Sequence, residues 1–220
     1  MRRVFWPLLL TLACSRLPAY GRPQGALMDP SSVNGADLIE YRTLTRHDFK
    51  GEKPVGDAAE HLDAVGALTY AIVRSDPMLK MVITSTRGPD GDTRYRGQVQ
   101  GLHFRAEMDR TRSWWNPNLN EVSEAYVLKH EQIHFALVAL EAQALNRSAV
   151  ELAAKLHAEG DSEAAVKEAV QAKLDQVLRD ALDRLIDQNG KFDEDTSARY
   201  APKKQDEWWR RVSSALEQGR

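Results

Sequence analysis

Hydrophobic and polar residues alternate along positions 102–109. Leu102, Phe104, Ala106 and Met108 fall on one side of an extended chain, and His103, Arg105, Glu107 and Asp109 fall on the other. A period of two is typical of an antiparallel strand with one buried face. Two shorter apolar runs, ALTYAIVRS and LKMVITSTR, precede it, and the turn cluster GPDGD separates them from it. We therefore predict a small antiparallel sheet between Leu38 and about Trp115.

The hydrophobic period changes to a helical one after Asn116-Pro117-Asn118. Helices are predicted over 123–146, over 148–157, from Ser162 to the Asn189-Gly190 pair, which reads as a helix stop, and over about 204–216. The third helix carries an apolar stripe, typical of a core or helix-pairing surface, formed by Val166, Val170, Leu174, Val177, Leu178, Leu182, Leu185 and Ile186. The predicted fold class is α+β, with the small N-terminal sheet followed by a helical C-terminal part.

The composition is that of a soluble globular protein with enough residues for one domain. The chain has 220 residues, of which 42% are hydrophobic and 28% charged, and its formal net charge is -2. No basic excess points to a nucleic-acid partner. We predict a single domain over residues 38–220.

The first 21 residues have the pattern of a cleaved secretory signal peptide. Two arginines precede an apolar run from Val4 to Ala13, which is too short to span a bilayer, and the segment closes on Ala19-Tyr20-Gly21. A retained anchor and lipidation at Cys14 are the alternatives. Residues 22–37 read as a flexible leader. The pattern predicts a secreted or periplasmic protein with no membrane span after cleavage. Because Cys14 is the only cysteine, the mature chain would have no intramolecular disulfide.

Two histidines four residues apart lie within the first predicted helix. Positions i and i+4 project from the same face, so His130 and His134 can offer two imidazole nitrogens to one zinc ion. Glu131 is offset by about 100° around the axis, within reach of a water on that ion but not a natural ligand. This is the H-E-x-x-H arrangement of zinc hydrolases, in which the glutamate acts as general base. Two structural histidines in a core would give the same pattern.

A catalytic zinc usually has three protein ligands, and the third is not in this motif. Glu141 lies on the same helix, but about 10 Å from His134 by the helical rise, which is too far. The acidic stretch KFDEDT follows the predicted helix stop and offers Asp193 or Asp195, with Glu194 as a further option. The same stretch could instead cap the following segment.

Three stretches together resemble a bacterial family with a domain of unknown function, described as predicted secreted zinc-dependent proteases. They are LTRHDFKGEKP, LKHEQIHFALVALEAQAL and FDEDTSARYAPKKQDEWW. They occur in the family's order and cover about residues 40 to 210. The chain departs from the family's pattern at Ile133, where a glycine is usual, and at Ala198-Arg199, where His-Gly is usual.

The resemblance implies that His130 and His134 are zinc ligands and that Glu131 is the catalytic base. It also points to Asp193, rather than Asp195, as the acidic residue of the last motif. We therefore expect a secreted zinc metallopeptidase acting on peptide or protein substrates. The alternatives are a non-catalytic, zinc-stabilised envelope binding protein and a zinc amidase acting on cell-wall peptide.

Several other features near these motifs have more than one interpretation. The Trp114-Trp115 and Trp208-Trp209 pairs suit a core or a seam between packed elements better than a groove wall. The strand over 102–109 is a candidate edge strand for binding a peptide, but its charged outer face suits a solvated strand equally well. Tyr126 and Tyr200 are candidate oxyanion donors.

Overall fold

The structure, a computed structural model, describes residues 37–53, 65–197 and 200–219. The predicted signal segment, nearly all of the predicted leader, Cys14 and the Ala198-Arg199 pair lie outside the described residues. Among the helices within these ranges, none combines the length and apolar character that crossing a membrane requires.

The described chain is a mixed α+β fold in which strands come first and helices follow, as predicted. The strands are β1 (Leu38–Glu40), β2 (Ala67–Leu68), β3 (Ala71–Ser75), β4 (Lys80–Arg87), β5 (Thr93–Gln100), β6 (Phe104–Asp109), β7 (Trp114–Trp115) and β8 (His157–Gly160). The helices are α1 (Glu121–Arg147), α2 (Ala149–Lys155), α3 (Glu163–Thr196) and α4 (Pro202–Gln218). The first and last helices begin and end within about two residues of their predicted bounds.

Strand β6 lies in the middle of a three-stranded antiparallel sheet of order β1-β6-β3. Its predicted alternation is confirmed at Phe104, Ala106 and Met108, which are buried, whereas Asp109 at the end of the strand was predicted on the polar side and is buried as well. Its Glu107 faces Glu40 of β1 on one side and Ile72 of β3 on the other. Because both hydrogen-bonding edges of β6 are thus occupied, the hypothesis that this strand is an edge strand for peptide binding is wrong.

A short strand interrupts the helical half of the chain, where a helix reaching His157 was predicted. Helix α2 ends at Lys155, and β8 pairs with β5 in the sheet of order β4-β5-β8. The side chain of Leu156 enters the core at this change of direction. Pairing with a distant strand therefore overrides the local helical pattern, as tertiary contacts often do.

Helix α3 runs through Gly190 to Thr196, so the predicted stop at Asn189-Gly190 is wrong. Gly190 is exposed, and a Cβ built there would meet nothing within 4 Å, so the glycine marks no turn or close approach. A glycine in a helix costs only about 1 kcal/mol relative to alanine. Burying Phe192 two residues later is worth about 1.5–3 kcal/mol, which outweighs that cost. The acidic stretch 191–196 is therefore the end of a helix and not a turn.

The core lies between α1, the β1-β6-β3 sheet and the two later helices. Helix α1 is the central element, with Ile133, Phe135 and Ala136 completely buried. The predicted stripe of α3 also enters this core, where Val170, Leu174 and Leu185 are buried. Helices α1, α3 and α4 pack against one another, which brings the middle of α1 next to the end of α3.

Candidate metal centre

The middle of α1 places two imidazoles side by side in the protein interior. The helix begins at the Asn120 cap, whose side chain accepts a hydrogen bond from the Ser123 amide, and it continues as one helix through Arg147. His130 and His134 are only 4% and 2% exposed. Their Nε2 atoms lie 3.0 Å apart, as the i and i+4 spacing predicts.

Asp193 reaches the same point from α3. Its Oδ1 lies 3.3 Å from Nε2 of His130 and 3.1 Å from Nε2 of His134. The three side chains form a buried group that could hold a metal ion. Tetrahedral zinc with bonds of about 2.0–2.1 Å needs ligand atoms about 3.3–3.4 Å apart, so the three separations are close to those that a zinc ion requires.

The other acidic candidates have different partners. The carboxylate of Asp195 is exposed and accepts a hydrogen bond from Nε1 of Trp208 at 2.8 Å. Glu194 is exposed. Glu141 accepts a hydrogen bond from the Arg184 guanidinium at 2.7 Å, which joins α1 to α3. Only Asp193 among them lies at the two histidines.

The negative charge of Asp193 controls the protonation of the group. Burial disfavours the charged imidazole of His134, but Asp193, with help from Glu131 and Asn189, outweighs burial and raises the pKa of His134 to about 9. Burial likewise opposes the charged form of Asp193, yet His134 and the hydrogen bonds from both histidines hold the pKa of Asp193 far below its usual value. Without a metal ion, the group therefore holds a proton at neutral pH.

Metal binding to the metal-free protein is expected to release about one proton at pH 7.5, because a ligating imidazole must be neutral. Isothermal titration calorimetry with Zn²⁺ in two buffers of different ionisation enthalpy measures this number. Apparent affinity should rise with pH up to about 9, the raised pKa of His134. A zinc affinity that is independent of pH between 6.5 and 9 would contradict the prediction that zinc displaces a proton from the group.

The same pKa sets the pH dependence of folding in the metal-free protein. The folded-state pKa of His134 lies above its ordinary value of 6.5. The stability that its charge contributes is therefore fully present below about pH 6.5 and is lost as the pH rises through about 9.

Glu131 is buried beside the two histidines with one oxygen unpaired. The residue is 1% exposed, and its Oε2 has no hydrogen-bond partner among the described residues. Its negative charge nevertheless acts on His134. A buried carboxylate oxygen without a partner is costly for the fold. An unpaired acceptor next to a possible metal site is what a base that binds water or substrate would require.

Aromatic rings from α3 and α4 cover one side of the group. The Phe192 ring lies 4.5 Å from the ring of His130 and 4.9 Å from that of His134. Trp208 packs on Phe192 from behind, with ring centroids 5.4 Å apart. Trp208 therefore belongs to the seam between α3 and α4, while Trp114 and Trp115 are buried in β7.

Hydrogen bonds join the first stretch of the family resemblance to the second, and the third stretch to the beginning of α1. Gln132, between the two histidines, accepts from the Leu44 amide at 2.6 Å and donates to the Arg42 carbonyl at 3.2 Å. Gln205 of α4 donates to the Tyr126 carbonyl of α1 at 2.9 Å. The hydroxyl of Tyr126 donates to the Thr196 carbonyl. The Tyr126 hydroxyl therefore connects α1 to the end of α3, which argues against its role as an oxyanion donor. The side chain of the other candidate donor, Tyr200, is 67% exposed.

Replacing Gln132 by alanine is expected to destabilise the protein by about 1–3 kcal/mol, because the buried Leu44 amide would lose its acceptor. Urea unfolding measures this loss. The control Gln171→Ala removes an exposed amide that bonds only Asp175, and it should change stability by less than about 0.5 kcal/mol. Equal unfolding midpoints for the two variants would show that the Gln132 bonds contribute nothing.

Sequence reasoning missed two polar residues that contact the histidines. Oδ1 of Asn189 lies 2.5 Å from Nδ1 of His134, and Oγ1 of Thr196 lies 3.4 Å from Nδ1 of His130. Both are buried on the same face of α3 as Asp193. Asn189, Asp193 and Thr196 are spaced by four and then three residues, which places them on one face of a helix. This spacing was not recognised, because the helix was predicted to stop at Asn189-Gly190.

Comparisons of the chain with protein-family models, with curated proteins and with solved structures found no match. The resemblance to a family of secreted zinc-dependent proteases therefore stays a prediction that rests on the three stretches. The geometry of the buried group is the remaining evidence on function.

Proposed function

We propose that this protein is a secreted zinc-dependent metallopeptidase that hydrolyses peptide bonds. In this proposal His130, His134 and Asp193 bind the zinc ion, and Glu131 is the general base. The observation that carries it is the buried, unpaired Oε2 of Glu131, a residue whose charge acts on His134, one of three residues with convergent ligand atoms. Secretion is supported by the signal pattern of residues 1–21.

The donor set favours zinc over the hard cations. Two imidazole nitrogens and one carboxylate oxygen suit zinc, whereas calcium and magnesium prefer oxygen ligands alone. Two histidines and one carboxylate also hold iron(II) in oxygenases. The adjacent carboxylate of Glu131 is the feature that favours zinc and hydrolysis, because it offers a proton acceptor.

A zinc ion bound there would activate a water molecule and polarise the substrate carbonyl. Glu131 then accepts the proton of the water as its oxygen bonds to the carbonyl carbon. The carbon–nitrogen bond breaks, and Glu131 passes the proton to the departing amine. Asp193, His130 and His134 act only as ligands, and the rings of Phe192 and Trp208 exclude water from one side. The same steps would cleave any amide, including one in cell-wall peptide.

A non-catalytic zinc-stabilised protein is the second candidate, because all three candidate ligands are buried. In such a protein the zinc ion would hold α1 to α3, and Glu131 would have no proton to accept. The buried, unpaired oxygen of Glu131 would then destabilise the fold and serve no function.

Metal content and protease activity test the proposal together. Full-length protein is treated with a chelator, dialysed and given Zn²⁺, and the cleavage of fluorescently labelled casein is followed at each stage. We expect one zinc ion per chain by elemental analysis, with activity lost on chelation and restored by zinc. One zinc ion without cleavage of protein or cell-wall peptide would favour the non-catalytic candidate. Folded protein without zinc would overturn both.

A further inference from the structure

We propose that Asn189 and Thr196 are positioning residues that hold both histidine rings with Nε2 directed at the metal. The proposal rests on the proposed metal site and concerns how the chain prepares it. Each residue contacts Nδ1 of one histidine, the ring nitrogen that faces away from Asp193.

The orientation of Asn189 is set by its own helix. Its Nδ2 donates to the Leu185 carbonyl, one turn earlier in α3, at 2.7 Å. The amide oxygen therefore points the other way, toward Nδ1 of His134 at 2.5 Å. Because this oxygen can only accept, Nδ1 of His134 must carry a proton. A neutral ring with its proton on Nδ1 has its lone pair on Nε2, as a metal ligand needs.

Thr196 is oriented by its own helix in the same way and contacts the ring of His130. Its hydroxyl donates to the Phe192 carbonyl, also one turn earlier, at 2.6 Å. The hydroxyl proton is thus engaged, and only a lone pair of the oxygen faces Nδ1 of His130, at 3.4 Å. This contact is longer than that of Asn189, so we expect Thr196 to contribute less.

The contacts of Asn189 and Thr196 with the two histidine rings together favour the binding of a cation between those rings and Asp193. They direct both Nε2 atoms toward each other and toward Asp193, at separations of 3.0–3.3 Å. Three acceptor atoms at these distances repel one another unless a positive charge, either a proton or a metal ion, lies between them. Asn189, Asp193 and Thr196 come from one face of α3, so this helix supplies one ligand and orients the other two. Such outer contacts typically set metal affinity by 10–100-fold.

Four variants of the full chain test the proposal. Asn189→Leu keeps the size of the side chain but removes the acceptor, whereas Asn189→Asp keeps an acceptor oxygen. Thr196→Val removes the hydroxyl at constant shape. Asn146→Leu is the matched control, because Asn146 bonds the backbone of Phe104 in the fold and lies outside the buried group.

The zinc Kd is measured by competition with a chromophoric chelator, and the visible spectrum of the Co²⁺-loaded protein reports ligand geometry. Circular dichroism confirms folding. We expect Asn189→Leu to raise Kd about 10–100-fold and Thr196→Val to raise it by less, with altered Co²⁺ spectra. Asn189→Asp keeps an acceptor for Nδ1 of His134 but loses the donor that bonds the Leu185 carbonyl, so its Kd should lie between that of Asn189→Leu and that of the wild type. Asn146→Leu should lower stability and leave Kd unchanged.

The outcomes separate this inference from the proposed function. If the folded wild type binds no zinc or cobalt, the metal site itself is wrong, and this inference falls with it. If the wild type binds zinc and both Asn189→Leu and Thr196→Val bind it equally well, only the positioning role is overturned. Should Asn189→Leu fail to fold, Thr196→Val and Asn189→Asp decide the question through their Kd values and spectra.

Discussion

Glu131→Gln is expected to lower the rate of peptide hydrolysis by a factor of about 10²–10⁴, the usual contribution of a general base. The glutamine has nearly the same shape and occupies the same buried position, but its amide cannot accept the proton of the attacking water. The three candidate ligands are untouched, so the zinc content should stay at one ion per chain. Casein cleavage and elemental analysis of the same preparation measure both quantities.

The matched control for this variant is Glu124→Gln on the same helix. Glu124 pairs with Arg46 at the surface, away from the buried group, so its neutralisation should leave hydrolysis unchanged. Equal activity of Glu131→Gln and Glu124→Gln would remove Glu131 from the mechanism. Full zinc content in an inactive Glu131→Gln protein would separate the chemical step from metal binding.

His134→Ala is expected to abolish stoichiometric zinc binding and the stability that depends on it. A ligand present at 1,000 times its Kd stabilises the folded state by about 4 kcal/mol. Wild-type protein should therefore unfold at a higher temperature with zinc than without it, and the variant should show no such shift. Thermal unfolding with and without Zn²⁺, beside elemental analysis, measures the difference.

His47→Ala is the control for the loss of an imidazole, because His47 is exposed and does not belong to the buried group. The acidic ligand has its own matched pair, in which Asp193→Asn should lose zinc and its neighbour Glu194→Gln should keep it. A full thermal shift with zinc in His134→Ala would mean that the ion binds elsewhere.

The period of the hydrophobic residues was sufficient to predict the fold class and the central elements. The alternation of Phe104, Ala106 and Met108 describes β6 correctly, and the helical spacing around His130 describes α1. These signals are local, because each depends only on which face of one element is buried. Strand β8 was missed because its partner β5 lies far away in the sequence, and no local pattern in His157–Gly160 reports that pairing.

The two histidines and Glu131 could be named from spacing alone, whereas the third candidate ligand could not. Reasoning from the residues left Asp193, Asp195 and Glu194 open, and the family resemblance favoured Asp193. The structure brings Asp193 to the histidines because α3 continues past Gly190. Local propensity favours a stop there, and only the packing of Phe192 against α1 and α4 reverses it. Because the helix was predicted to stop at Asn189-Gly190, the contacts of Asn189 and Thr196 with the histidines were not predicted either.

The exposed Gly190 within α3 has a consequence for the local stability of the helix end that carries Asp193. The last turns of this helix are held by Phe192, Asp193 and Thr196, all of which lie against the two histidines. Because glycine is among the poorest helix formers, local propensity contributes little to holding the residues that follow it in the helix. The position of Asp193 therefore depends on the packing of α3 against α1, and a substitution that weakens this packing should displace the carboxylate before it unfolds the rest of the chain.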